Sequence, residues 1–364
     1  MSAGLLQSKA TCSGVKRPAL SVIVPVRDGG HFLPQSLTAL RSSDLPPGDW
    51  ELIVVDDSSR DQSAEVATRY ADTVVRLVNG PAGPAFARNR GAEVARGNVI
   101  AFVDADVCIH SDALRLMTET LEREADVSAV FGAYDPAPAA GGLISQYRNL
   151  LHRYVHQRDA GDAVTFWAGC GAVRADVFVR CGGFDEAPSI VAVEDIELGY
   201  RMSARGHRIV LRPEIQGKHL KRWTLRSMIL TDVRYRGIPW MRLLMSQKRR
   251  PPSTLSIRIS EQVCTVLVAL ACLALVLWLW TGAEVWLTVA AAATVATLAI
   301  NAPLLAWLAR QRSWGFALCA VPLRLLYYAL NTVSVCLALL PFGFGRQQTL
   351  SRLQEPGFER RLQR

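Results

Sequence analysis

Paired cysteines are missing from this sequence. Its eight cysteines (Cys12, Cys108, Cys170, Cys181, Cys264, Cys272, Cys319 and Cys336) are scattered without any C-x-x-C, and four fall in an apolar C-terminal part. That disfavours a disulfide framework or a zinc site and fits a reducing cytosol. No G-x-G-x-x-G follows any expected strand, which disfavours a dinucleotide-dependent oxidoreductase. Residues 1–17 lack the apolar run that a secretory signal needs and read as a loose tail. Net charge is nearly absent from most of the chain. The total is 41 Lys+Arg against 32 Asp+Glu, but residues 246–364 hold 12 against 4, leaving 29 against 28 in the first 245. No basic stripe is expected on the folded domain, so nucleic acid is not an expected partner.

Three long stretches with little or no charge follow Arg258. Gln262–Ala283 and Val285–Ala309 contain no Asp, Glu, Lys or Arg, and Ser313–Gly345 is broken only by Arg324. A bilayer core needs about 20 apolar residues per helix. Spans are therefore expected at about 262–283 and 285–309, with a third segment near 315–342 that either spans or lies partly in the interface. Lys248, Arg249, Arg250 and Arg258 precede the first span, and Arg310 and Arg312 follow the second. The positive-inside rule then puts the large N-terminal part on the cytoplasmic side of a cell membrane, in a multi-pass protein. The basic tail, 346–364, would prefer the same side.

The remaining part, residues 18–250, reads as alternating strands and helices. Leu20–Val26, Glu51–Val55, Thr73–Val78 and Val99–Val103 are short, continuously apolar runs. Phe32–Leu40, Pro84–Arg96 and Asp112–Arg123 between or after them have helical character. This pattern implies an α/β fold with a mostly parallel, Rossmann-like sheet covered on both faces. Ligands in such sheets bind beyond the carboxyl ends of the strands. Those ends here read Asp56-Asp57 and Asp104-Ala105-Asp106. Later come a helix over Gln146–Arg158, a strand-like, Gly-interrupted stretch over Thr165–Arg174, and a helix opening on Glu194-Asp195. Interfacial helices are expected over 218–250, where Arg and Trp abound.

Several residues could carry chemistry, each beside a plainer use. Asp104 and Asp106 could reach one hard cation together, or be solvated turn residues. Asp57 could accept from a base or ribose, or cap a helix. Arg88 could take phosphate, or lie on a solvated face. Asp195, with Glu194, could deprotonate a hydroxyl, or favour the helix dipole. His219 could complete a metal shell. Arg222 and Trp223 could serve a site or anchor the chain at a membrane surface.

The ordered series S-V-I-V-P-V (21–26), I-V-V-D-D-S-S (53–59), A-R-N-R-G-A (87–92), G-N-V-I-A-F-V-D-A-D (97–106), G-G-F-D-E (182–186) and V-E-D-I-E-L-G-Y-R (193–201) resembles the family 2 glycosyltransferases. The resemblance implies a GT-A fold and metal-dependent, inverting transfer from a nucleotide-sugar, UDP-sugar by default. It implies that Pro25 and Asp57 surround the base and that Arg88 lies near the donor. Asp104 and Asp106 would hold Mg²⁺ or Mn²⁺, with His219 as a third ligand and Asp195 as the base. Trp167 to Gly171 would line the acceptor side, with Arg222 and Trp223 beyond. Processive members carry Q-x-x-R-W, whereas this chain has His219-Leu220-Lys221-Arg222-Trp223, which favours adding one or a few sugars. A lipid-linked or cell-surface glycan acceptor and membrane lipids are the implied partners. A sugar-phosphate nucleotidyltransferase or a degenerate membrane scaffold are the alternatives.

Overall fold

The computed structural model describes residues 17–78, 80–187, 192–246 and 258–340. The expected tails, 1–17 and 346–364, lie outside these residues except for Arg17, as does the end of the third expected span beyond 340. In chain order the first elements are β1 (Leu20–Val26), α1 (Leu33–Arg41), β2 (Trp50–Asp57), α2 (Ser63–Tyr70), β3 (Thr73–Leu77), α3 (Pro84–Val94), β4 (Val99–Val103), β5 (Val107–Ile109) and α4 (Ala113–Arg123). Successive side chains of a strand point to opposite faces. In β1, Val22 and Val24 accordingly enter a core with Leu33, Leu37 and Leu40 of α1 and Leu114 and Met117 of α4. Ile23 enters the opposite core, with Ala87 of α3. Burial on both faces explains why these strands read as continuous apolar runs.

The next elements are β6 (Val127–Tyr134), α5 (Leu143–Arg158), β7 (Gly161–Ala163), β8 (Cys170–Arg174), α6 (Ala175–Cys181), α7 (Glu194–Ala204) and β9 (Arg208–His219). The sheet runs β3-β2-β1-β4-β8-β6-β9-β5, with β7 also on β9. Its first four strands are parallel, as expected. Beyond β4 it becomes mixed. β8 is antiparallel to both β4 and β6, and β5 and β7 are antiparallel to β9. The stretch expected to be strand-like from Thr165 is a strand only from Cys170.

After β9 come α8 (Leu225–Leu230), a π-helical segment (Thr231–Gly237) and α9 (Ile238–Ser246). Residues 247–250 of the expected domain lie outside the described residues. Three helices follow: α10 (Ile259–Thr281), α11 (Val285–Gln311) and α12 (Trp314–Leu339), each long and apolar enough to cross a membrane. They are joined to the α/β domain by packing. Tyr147 and Leu150 of α5 and Met228 of α8 share a buried cluster with Leu304 and Leu308 of α11 and Ala320 and Leu323 of α12. A Cβ on Gly237 would fall 2.3 Å from Ser334 Oγ, so glycine lets the π-helical segment approach α12 closely.

One polar cluster lies inside the helical bundle. Arg324 donates to both oxygens of Glu261, at 2.9 and 2.7 Å, and through Nε to Asn301 Oδ1 at 2.7 Å. Tyr328 O–H reaches the same two acceptors. Removing one partner of a buried ion pair leaves an uncompensated charge and costs roughly 3–5 kcal/mol, whereas replacing both by apolar groups is often neutral. Glu261→Leu should therefore lower the unfolding temperature of the detergent-solubilised protein clearly. Adding Arg324→Met to it should recover most of the loss in the same melting experiment.

Candidate functional site

Asp104 and Asp106 stand where β4 ends. Asp104 N–H donates to Gly169 O at 3.2 Å, fixing the turn to the segment before β8. The β5–β9 ladder pairs Val107 with His219, and Leu220 N–H donates to Asp106 O at 2.8 Å. That register brings His219, 113 positions away in sequence, beside Asp106, with Nε2 3.4 Å from Asp106 Oδ2. The His219 ring is stacked on Tyr134 at 4.5 Å. Its Nδ1 lies 2.8 Å from Asn149 Oδ1.

Arg88 joins the two acidic pairs. It is buried, with one Nη 2.8 Å from Asp104 Oδ1 and the other 2.6 Å from Glu194 Oε1. Neighbouring Asn89 donates to Phe184 O and accepts from Phe184 N–H, holding the G-G-F-D-E loop. The A-R-N-R-G-A motif thus ties α3 to the β4 end, to α7 and to the loop before α7. The solvated-face alternative for Arg88 is excluded by its burial, and its guanidinium is directed to carboxylates of the protein.

Glu194 and Asp195 open α7, where the helix dipole favours negative charge. Asp195 Oδ2 accepts from Ala168 N–H at 3.2 Å. Burial raises its pKa to about 6, with the Glu194 charge adding and Arg88 opposing. Burial also raises Asp104, against the opposing pull of Arg88. Asp106 goes the other way. Burial acts to raise it, but the hydrogen bond and charge of His219, with Lys221, hold it below the usual range. Two neighbouring carboxylate sets with divergent proton affinities are what acid–base and ion-binding chemistry require.

These groups line one cavity of about 820 Å³. Its far end is formed by Pro25, Asp57, Gly83 and Pro84. Both oxygens of Asp57 accept backbone N–H groups, from Ala82 and Gly83 at 2.8 Å each, so this side chain shapes the loop before α3. Asp28 and Ser58, next to the ends of β1 and β2, adopt left-handed φ values of 48° and 58°. Strained backbone of this kind persists where the surroundings over-determine it, often at binding sites.

Trp167 lines the middle of the cavity, in ring contact with Tyr134 and His152 at 4.9 and 4.6 Å. Gly169 permits this, because a Cβ there would sit 2.6 Å from the Trp167 indole. Lys221 and Trp223 also line the cavity, while Arg222 between them is exposed and is not among its lining residues. The membrane-proximal end carries Arg148, Asp232 and Arg236, and Arg324 and Tyr327 of α12.

Sequence reasoning missed Tyr134, Asn149, His152 and Lys221. The spacing of Asn149, His152 and His156 at i, i+3 and i+7 was the available signal, since it puts all three on one face of α5. His152 is held neutral by burial, with His156 adding to the effect.

Among the described residues no group of three or more His, Cys, Asp or Glu side chains forms a ready metal site. The donor set nonetheless suits a hard cation. Asp106 and His219 face each other, Asp104 is adjacent, and four carboxylates line the same cavity, two of them paired with the buried Arg88. Such a balance is favourable to a divalent cation that bridges to further oxygen ligands.

The sheet topology and the paired carboxylates at its carboxyl edge define a GT-A type domain. Residues 21–182 match the sequence model of glycosyl transferase family 2, so the chain carries a domain of that family, followed by three potential membrane-crossing helices. It is similar to validoxylamine A glucosyltransferase of Streptomyces hygroscopicus subsp. limoneus, 28% identical over 55% of this chain and 51% of that protein. It is also similar to glycosyltransferase AglE of Haloferax volcanii, 25% identical over 56% of this chain and 67% of that one. The first match thus spans about half of that relative. Among solved structures, a mannosyltransferase from Pyrobaculum calidifontis in complex with GDP-Man and Mn²⁺ shares the fold with a TM-score of 0.54. That match has 20% identity and covers 87% of each chain.

Overpacking a tight contact costs typically about 1–3 kcal/mol. Gly169→Ala should lower stability by that order and displace the Trp167 ring. Thermal melting and a shift in tryptophan fluorescence check the two effects.

Proposed function

We propose that the protein is an inverting glycosyltransferase that moves a sugar from a nucleotide-sugar, UDP-sugar by default, to an acceptor at a membrane surface. The observation that carries this reading is the single cavity joining the Pro25–Asp57 end, the Asp104–Asp106–His219 group, Asp195, and Arg324 and Tyr327 of α12. The base and ribose would lie at the Pro25–Asp57 end. Asp106 and His219, with Asp104, would hold Mg²⁺ or Mn²⁺. When bound, the cation offsets charge on the leaving diphosphate. Arg88 would act through Asp104 and Glu194, keeping both in position.

Asp195 takes the proton of the acceptor hydroxyl. The acceptor oxygen bonds to the anomeric carbon as the carbon–oxygen bond to the diphosphate breaks, in one displacement with inversion. Trp167 and Trp223 offer flat apolar faces to the acceptor. Lys221 and Arg236 supply positive charge beside the membrane helices, which favours an acceptor with an anionic, lipid-linked end. In this reading the α/β domain faces the cytoplasm of a cell membrane, and one or a few sugars are added.

The reaction is tested by nucleotide release from a panel of UDP-, GDP- and dTDP-sugars, with Mn²⁺ or Mg²⁺ and with EDTA, in the presence of membrane lipid extract. Asp106→Ala and Asp195→Asn should each abolish release while leaving the folded protein intact. An active Asp195→Asn enzyme would refute the base assignment. Because the base must be ionised, and burial puts its pKa at about 6, kcat/KM should fall as pH drops through that value. An acid limb lying near pH 4 instead would exclude Asp195 as its origin.

A further inference from the structure

We propose that Asn149 is the positioning residue that makes His219 a metal ligand, by fixing which ring nitrogen carries the proton. The proposal rests on the reading of Asp106 and His219 as protein ligands of the divalent cation.

Asn149 is 1% exposed, on the face of α5 that meets β9. Its amide has one permitted orientation. Nδ2 donates to Ser145 O at 3.0 Å, so Oδ1 must point the other way, toward His219 Nδ1 at 2.8 Å. An amide oxygen only accepts, so Nδ1 carries hydrogen. In the neutral ring the lone pair is then on Nε2, which faces Asp106 Oδ2 at 3.4 Å. A lone pair facing a carboxylate oxygen is repulsive unless something positive, a proton on Nε2 or a metal cation in its place, sits between them. A metal cation satisfies both groups at once.

The opposite tautomer would do the reverse. With hydrogen on Nε2, His219 would donate straight to Asp106, and the two ligands would satisfy each other. Asn149 prevents this, because that tautomer would place two acceptors, Nδ1 and Oδ1, at 2.8 Å. Stacking on Tyr134 at 4.5 Å and 10° fixes the ring plane, and a ring flip within that plane would forfeit the hydrogen bond to Asn149. Outer partners that orient a metal-bound imidazole typically change metal affinity about 10–100-fold when removed.

The test is Mn²⁺ binding to the detergent-purified full chain, read by the loss of free-ion signal in electron paramagnetic resonance, with no donor present. Wild type, Asp106→Ala, Asn149→Leu and Asn149→Asp are compared, and thermal unfolding in metal-free buffer reads any packing cost separately. Asn149→Leu should weaken Mn²⁺ binding by about 10-fold or more. Asn149→Asp, which keeps an acceptor facing Nδ1, should stay close to wild type. Wild-type affinity in Asn149→Leu, with binding lost in Asp106→Ala, would overturn this proposal alone. So would an equal loss in Asn149→Asp and Asn149→Leu. Absence of Mn²⁺ binding in wild type, or binding that survives Asp106→Ala, would overturn the metal reading and this proposal with it.

Discussion

The guanidinium of Arg88 is the constraint on which the site depends. Four carboxylates (Asp104, Asp106, Glu194 and Asp195) converge from a strand end and a helix start that are distant in sequence. Left alone, they would repel one another or take up protons. One buried cation between Asp104 and Glu194 offsets that repulsion and holds α3, the β4 end and α7 in fixed relation. A buried charge is costly unless it is paired and hydrogen-bonded, and Arg88 is paired twice. The bridge also shapes the chemistry of Asp195. Glu194 raises its proton affinity, Arg88 lowers it, and burial dominates. In the reading proposed above, a pKa raised to about 6 would suit a base that is still ionised before the reaction.

The N-terminal half of the sheet was legible because its strands are doubly buried. Continuous apolar runs at Leu20–Val26 and Val99–Val103 leave little choice of element, and both strands have those bounds. The second half was not legible for a physical reason. Arg208–His219 contains a proline, a glycine and four charged residues, and its strand character comes from pairing with three partners rather than from its own composition. The π-helical segment likewise has no local signature. It follows from packing against α12, where Gly237 allows close contact.

The site was legible to the same degree and for related reasons. Asp104, Asp106 and Asp195 occupy strand ends and a helix start, and the sequence marks such places. Roles that depend on tertiary neighbours were hidden. Arg88 faces carboxylates from two other segments, and Asp57 accepts from a loop 25 residues on. In the extended stretch after β9, alternation decides which residues face the cavity. Lys221 and Trp223 share one side, and Arg222 takes the other. A motif match names all three positions alike, because it carries no phase.

The helical bundle is more than a tether, since Arg324 and Tyr327 of α12 line the cavity. Arg324 meets Glu261 and Asn301 on its bundle side, and the interfacial elements place Arg148, Asp232 and Arg236 around the same end. Arg148 and Asp232 compensate each other at 2.8 Å, whereas no carboxylate is paired with Arg236 among the described residues. A charged side chain in a bundle is expensive wherever it faces lipid, so such residues turn toward protein or a polar cavity. Arg324 does both. The chemical end of the cavity is thereby linked through packed helices to the membrane-facing part. In the reading proposed above, an acceptor held in the bilayer by an apolar tail would enter the cavity from the end lined by α12. A freely soluble acceptor would need none of this construction, and that difference is the physical argument for the membrane-bound acceptor proposed here.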